Sequence, residues 1–368
     1  LWVQFTENRE GYYLSSLIDK PLISKYDKHG FQIRYILSQS ARFYYYDGNL
    51  LTIEDDNYFN LGGTNRLVEF NDIFKKYLYM DYTRSYGLDH KMDICFYSKI
   101  LEIKHDSNNI TLLNAIYADY IPDDLTIPDR DDVSFGIEIQ LYQNEYAQTK
   151  NLNNFKWTEN LNRIKYMSFT LGRNIPQFGA DNNNDFIAWN ANYANFFRGK
   201  HFVYANSNLN YYLTSFGKKK NGSFDANIRY QYKFTPLTNG KISTYWKNYI
   251  GNSSYEQLLL GESTELYGYP NSYFSGDALL LINSELTMIT DIEIMTVIPA
   301  ITIFTATGNT YTDYKHIYLD KMHSSIGLGL RFGLSRSAGS IVNHINFSWP
   351  LDDSMEGPSI FIYSKNSL

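Results

Sequence analysis

Strand-length stretches of this 368-residue chain alternate apolar and polar residues, and that alternation limits the folds open to it. Phe224, Ala226, Ile228, Tyr230, Tyr232 and Phe234 alternate with Asp225, Asn227, Arg229, Gln231 and Lys233. Val133, Phe135, Ile137, Ile139 and Leu141 alternate with Ser134, Gly136, Glu138, Gln140 and Tyr142. Ile326, Leu328, Leu330, Phe332 and Leu334 alternate with Gly327, Gly329, Arg331 and Gly333. Ile341, Ile345, Phe347 and Trp349 share one face, and His344, Asn346 and Ser348 share the other. Successive side chains of a strand point to opposite faces, so each stretch has one apolar wall and one polar wall. A soluble sandwich alternates too. Here the polar walls carry Arg, Lys, Asp and Gln beside apolar walls rich in aromatics. Over strands of ~10 residues, that pairing fits lipid outside and water within.

Composition supports the same class. Aromatics make up 17% of the chain, with 34 Tyr, while mean hydropathy is −0.39. Amphipathic rings in such numbers suit the girdles where lipid meets water. Charged residues are 20% and the net charge is −6, which gives no basic face for nucleic acid. The single Cys95 excludes an internal disulfide. No run of about 18 apolar residues predicts a transmembrane helix. Leu1 is not followed by a basic and then an apolar segment, so a signal peptide, if the protein is exported, lies outside this numbering.

The pattern predicts strands over 30–38, 41–47, 75–84, 91–103, 110–118, 133–146, 162–172, 187–197, 202–216, 224–234, 242–250, 255–261, 278–288, 294–306, 324–335, 341–349 and 358–365. Turn signals stand at Asp47-Gly48, Asn221-Gly222, Asn239-Gly240 and Ala338-Gly339. Residues 1–29 have no clear period and read as a lead-in, a first strand or a plug, with the barrel over 30–368. Residues 54–74 are unassigned.

Several motifs fall in the order seen in BamA/TamA-like outer-membrane barrels, and the chain resembles that superfamily over about 255–365. Leu266-Tyr267-Gly268-Tyr269-Pro270 is similar to the tip of its inward-folded loop, expected here near 261–277. Asn283-Ser284-Glu285-Leu286 is similar to the strand that follows. Phe304-Thr305-Ala306-Thr307-Gly308 stands where the family tends to show F-x-D-x-G. Ser324 to Phe332 is similar to its late S-x-G-x-G-L-R strand, and Ile345 to Leu351 to its penultimate strand. Residues 130–254 match only as generic barrel strands, and 1–130 do not match. The resemblance implies one antiparallel transmembrane β-barrel of about sixteen strands. It implies protein assembly or translocation in the bacterial outer membrane, as a module or accessory subunit. A repurposed scaffold or passive pore is the alternative. The implied partners are outer-membrane lipid and other outer-membrane or periplasmic proteins. The barrel takes nearly every residue, leaving none for periplasmic repeat domains.

The resemblance breaks at the charges. In the family, a loop Arg pairs with the Asp of F-x-D-x-G. Tyr267 and Ala306 hold those positions here, and Asn346 stands where the penultimate strand usually has Asp. Removing both partners avoids a lone buried charge. The expected anchoring set is therefore Tyr267, Gly268, Tyr269, Glu285 and Arg331, with the Tyr267 hydroxyl bonded to Glu285 or Arg331. Gly327, Gly329 and Gly333 either admit the loop close to the wall or bend the strand.

No catalytic residue, metal or cofactor is expected. The seven histidines are scattered without H-x-x-x-H or H-E-x-x-H spacing. No G-x-S-x-G, Walker loop or C-x-x-C occurs. His323 and its neighbour Ser324 point to opposite faces of one strand and give no dyad.

Overall fold

Strands that alternate apolar and polar residues can enclose one face when the sheet curls on itself. The computed structural model of the chain has this arrangement. It describes residues 1–8, 11–24, 26–42, 45–46, 49–50, 52–53, 66–67, 71–106, 129–153, 155, 158–214, 222–251, 257–312, 314–335, 341–352 and 358–366.

Sixteen strands form one antiparallel sheet, each paired with its neighbours in the chain. They are β1 (Trp2–Asn8), β2 (Gly11–Lys20), β3 (His29–Arg42), β4 (Asn71–Tyr86), β5 (Lys91–Asp106), β6 (Arg130–Lys150), β7 (Thr158–Asn174) and β8 (Asn184–Phe197). The second half holds β9 (His201–Thr214), β10 (Gly222–Thr235), β11 (Thr238–Ile250), β12 (Ala278–Ile289), β13 (Val297–Tyr311), β14 (His323–Leu334), β15 (Ile341–Pro350) and β16 (Ser359–Asn366).

Strand order and wall polarity together define a transmembrane antiparallel β-barrel. The apolar wall faces outward: Phe96 is 52% exposed, Ile228 55% and Leu328 49%. The polar wall is buried: Ser134, Thr302, Asn346 and Ser348 are 0% exposed and Arg331 is 2%. A soluble protein has the opposite arrangement, because exposed aliphatic strips are unfavourable in water and favourable against lipid. The described edges β1 and β16 are not paired with each other, so the wall has an open seam.

Three strand assignments differ from the sequence reading. Residues 1–29 supply two wall strands, β1 and β2. Their period is masked because Ser16 interrupts the outward apolar face while Tyr13 and Leu17 make the other face apolar around Ser15. Residues 41–47 are not a wall strand: β3 ends at Arg42, and Tyr45–Tyr46 pairs with Asn49–Leu50 in a small ribbon. Residues 255–261 yield only the three-residue strand Leu258–Leu260, which lies outside the wall sheet. The segment 110–118 lies outside the described residues.

One turn signal is also displaced. Asn239 and Gly240 lie within β11, and Pro236-Leu237 makes the turn, since the Pro ring cannot join a ladder. The signals at Asp47-Gly48 and Ala338-Gly339 lie outside the described residues.

β3, β5 and β11 finish at one end of the barrel, and the short turns 198–200 and 236–237 lie at the other. Between them, part of the lumen wall is stiffened by rings. Gly136 of β6 and Gly172 of β7 pair across their ladder. A side chain at either would strike the ring of Tyr97 or Phe186, which lean in from β5 and β8. The row runs Tyr79–Tyr97–Phe186–Tyr212, with centroids 5.8, 6.4 and 5.7 Å apart.

Candidate functional site

The segment joining β11 to β12 folds into the lumen. Its base is a two-stranded ribbon in which Leu258 pairs with Gly276 and Leu260 with Phe274. Its shape is fixed largely from within. The Gly261 N–H donates to Thr264 Oγ1 at 2.8 Å, the Leu266 N–H to Gly261 O at 3.0 Å and the Glu262 N–H to Tyr269 O at 3.0 Å. Gly268 has φ +97°, a left-handed conformation that glycine adopts at little cost. That turn sets the side chains of Tyr267 and Tyr269 on different parts of the wall.

Leucine burial supplies the bulk of the docking surface. Leu258, Leu260 and Leu266 of the loop pack with Leu279 and Leu281 of β12 and Ala306 of β13, each 5% exposed or less. Apolar contact thus occupies the position where the resemblance placed an Asp. A leucine is stabilised by about 1.5–3 kcal/mol on full burial, so this cluster needs no ion pair to hold the loop.

Tyr269 is 1% exposed. Its hydroxyl lies 2.6 Å from Asp352 Oδ2 and 3.1 Å from the Ser324 carbonyl oxygen. His323 Nδ1 sits 2.8 Å from the same Asp352 oxygen, and its ring stacks on Phe274 at 4.4 Å. Tyr267 turns the other way. Its hydroxyl is 3.0 Å from the Tyr363 hydroxyl of β16, and its ring meets Phe304 and Phe361 at 5.1 and 6.2 Å. Ser359 Oγ, also on β16, donates to Glu262 Oε1 at 3.0 Å. Burial, reinforced by nearby Tyr363 and Glu265, holds the Tyr267 phenol well above its ordinary pKa, so the hydroxyl keeps its proton. Burial likewise lifts the Glu262 carboxyl, against the opposing effect of the Ser359 bond.

The barrel is similar in fold to BamA and CdiB. CdiB from Escherichia coli matches with a TM-score of 0.40 at 11% identity, over 96% of this chain and 58% of that one. BamA from Haemophilus ducreyi, in a crystal structure lacking POTRA domains 1–3, matches with a TM-score of 0.43 at 10% identity, over 98% and 68%. CdiB from Acinetobacter baumannii matches with a TM-score of 0.37 at 11% identity, over 98% and 58%. The chain thus spans under two thirds of the length of either CdiB. No protein-family model and no curated protein sequence matches it.

The expected anchoring residues divide into two groups. Tyr267, Gly268 and Tyr269 form the docked tip. Glu285 and Arg331 lie in the lumen beneath it, but neither bonds the Tyr267 hydroxyl. Both are already engaged. Glu285 Oε2 accepts from Lys241 Nζ at 2.7 Å, directly across the β11–β12 ladder. Arg331 Nη1 donates to Asn346 Oδ1 at 2.7 Å, and its Nη2 is 4.0 Å from Glu285 Oε1. The result is a charged row, Lys241–Glu285–Arg331–Asn346, crossing the wall under the loop. Gly327, Gly329 and Gly333 make room for side chains, not for the loop backbone. An added Cβ would meet the Phe304 ring, the Arg331 guanidinium and the Phe155 ring respectively.

Tyr363, Ser359, Asp352 and Lys241 were missed by sequence reasoning. Strand parity places Ser359 and Tyr363 on the inner face, but only the curl of the sheet brings them to the loop. Lys241 stands opposite Glu285 in the ladder, a register that the long connection 251–277 between their strands hides from the sequence.

A second segment enters from the short-turn end. Leu152 and Phe155, between β6 and β7, are 6% and 5% exposed. Phe155 packs with Ile298, Ala300 and Val342 of β13 and β15, across the barrel from its own strands. Glu159 Oε1 accepts the Leu152 N–H at 2.6 Å and Gln231 Nε2 donates to Asn153 Oδ1 at 3.1 Å. Between this turn and the loop lies a cavity of ≈ 150 Å³, lined by Phe155 and Leu152 below and by Glu265 and Tyr267 above. Among the described residues, no group of three His, Cys, Asp or Glu could hold a metal ion.

Proposed function

We propose that this barrel serves outer-membrane protein assembly or translocation, as a module or an accessory subunit, and does so without enzymatic chemistry. One observation carries the reading. The wall has two free strand edges, β1 and β16, next to an inward-folded loop that is docked on one of them. A free edge presents a row of unpaired backbone N–H and C=O groups, which is a template for an incoming strand. The order of the motifs between 255 and 365 supports the same pathway. So does the outward apolar wall, which suits contact with lipid and, on this reading, with outer-membrane neighbours.

The passive-pore alternative is disfavoured by the two segments that enter the lumen, the loop from one end and Phe155 from the other. Affinity purification from the native outer membrane tests the reading. Co-purified assembly factors, with photo-crosslinks from Phe5 or Ile360 to unfolded barrel strands, are the expected result. A lone barrel that forms no such adducts and conducts ions in planar bilayers would overturn it.

A further inference from the structure

We infer that the loop 257–277 is the inner brace of β16, so that docking of the loop sets the order of one seam edge and its release frees that edge. This rests on the seam reading above, but it concerns how the edge is controlled.

All three inward side chains of β16 in the described span 359–363 touch the loop. Ser359 bonds Glu262 at 3.0 Å, Phe361 faces the Tyr267 ring at 6.2 Å, and Tyr363 both stacks on that ring at 6.3 Å and bonds its hydroxyl at 3.0 Å. The outward side chains Ile360 and Ile362 are 62% and 68% exposed and give no support from that side. Towards the sheet, β16 has the β15 ladder, with the His344–Tyr363 stack at 4.5 Å, the Ser348–Ser359 bond at 2.8 Å and the Ser364–Asn343 bond at 2.7 Å. An edge strand with one ladder frays readily unless its side chains are held. Here the loop adds a second set of holding groups, on the inner face, to those of β15. β1 is the control within the same molecule. Among the described residues it has no side-chain hydrogen bond, ion pair or ring contact, and only its ladder with β2 holds it.

The test is amide hydrogen exchange on the purified full chain in phosphatidylethanolamine–phosphatidylglycerol vesicles, without any partner or substrate. Tyr267→Ala is expected to speed exchange of the β16 amides that bond β15 at least tenfold, while β1 and β8 are unchanged. Tyr267→Phe, which keeps the ring and removes the hydroxyl, is expected to give a smaller acceleration confined to the same strand. The Glu262→Cys/Ser359→Cys pair, oxidised, is expected to protect β16 beyond the wild-type level and to lose that protection on reduction. Exchange that is unchanged in all three variants overturns the inference, as does acceleration spread evenly over the barrel. Since no substrate is present, failure here leaves the assembly reading standing. Conversely, absence of seam adducts in cells with β16 exchange behaving as stated defeats the assembly reading and leaves the brace.

Discussion

The lumen is entered by two segments that are held in different ways. The turn carrying Leu152 and Phe155 is fixed by buried apolar side chains, Phe155 against β13 and β15 and Leu152 against Leu161 of β7 and Phe202 of β9, all strands in the interior of the sheet. The loop 257–277 combines a leucine cluster with hydroxyl contacts, and part of its anchorage is the edge strand β16. A segment fixed only to interior strands moves when the barrel comes apart. One tied to an edge can respond to what happens at that edge. The difference separates a floor from a latch.

The largest effect expected is at the floor. Phe155→Ala removes a buried ring and leaves a void against Ile298 and Val342, which costs about 3–5 kcal/mol. Urea unfolding in lipid vesicles should show that loss, and planar-bilayer recordings should show conductance absent from the parent. A loss under 1 kcal/mol would make the turn ornamental. At the latch, Tyr269→Phe deletes the bond to Asp352, a hydrogen bond to a charged group worth about 1–3 kcal/mol. The loop should be cut faster by added protease while global unfolding shifts less than for Phe155→Ala. Equal shifts in both would erase the distinction between the segments. Glu159→Gln weakens the charge-assisted bonds to the Leu152 and Asn153 amides by about 1 kcal/mol. It should loosen the floor without altering protease cleavage of the loop.

The smallest effect is a pH dependence. The Glu262 carboxyl is raised in the docked loop, so its charged form opposes docking. Docking is then fully supported below the undocked value of about 4.3 and weakens as pH rises through the raised docked value. Protease protection of the loop should fall as pH rises above about 4.3. Glu262→Gln, which cannot ionise, should abolish that slope.

The wall was legible because alternation is a local property. From Ile326 to Leu334, each residue declares its face through its own polarity, and the structure places Leu328 outside and Arg331 inside. Leu258–Leu260 misled because Leu258 and Leu260 bury one face against the wall and Leu259 is half-buried, so a continuous apolar run resembled a wall strand. The anchoring set was legible as far as which residues form the loop tip. The partner of Tyr267 was not. Parity gives the direction of Glu285, Arg331 and Tyr363 alike, and the choice among them depends on curvature and on Lys241 and Asn346 having already satisfied the first two.

The ring row over Gly136 and Gly172 bears on how such a cylinder deforms. Side chains that interlock from β4 to β9 resist hoop strain better than ladders alone, because widening the wall there must also separate stacked rings. A change in circumference is therefore taken up by the remaining arc, which contains both edges of the seam.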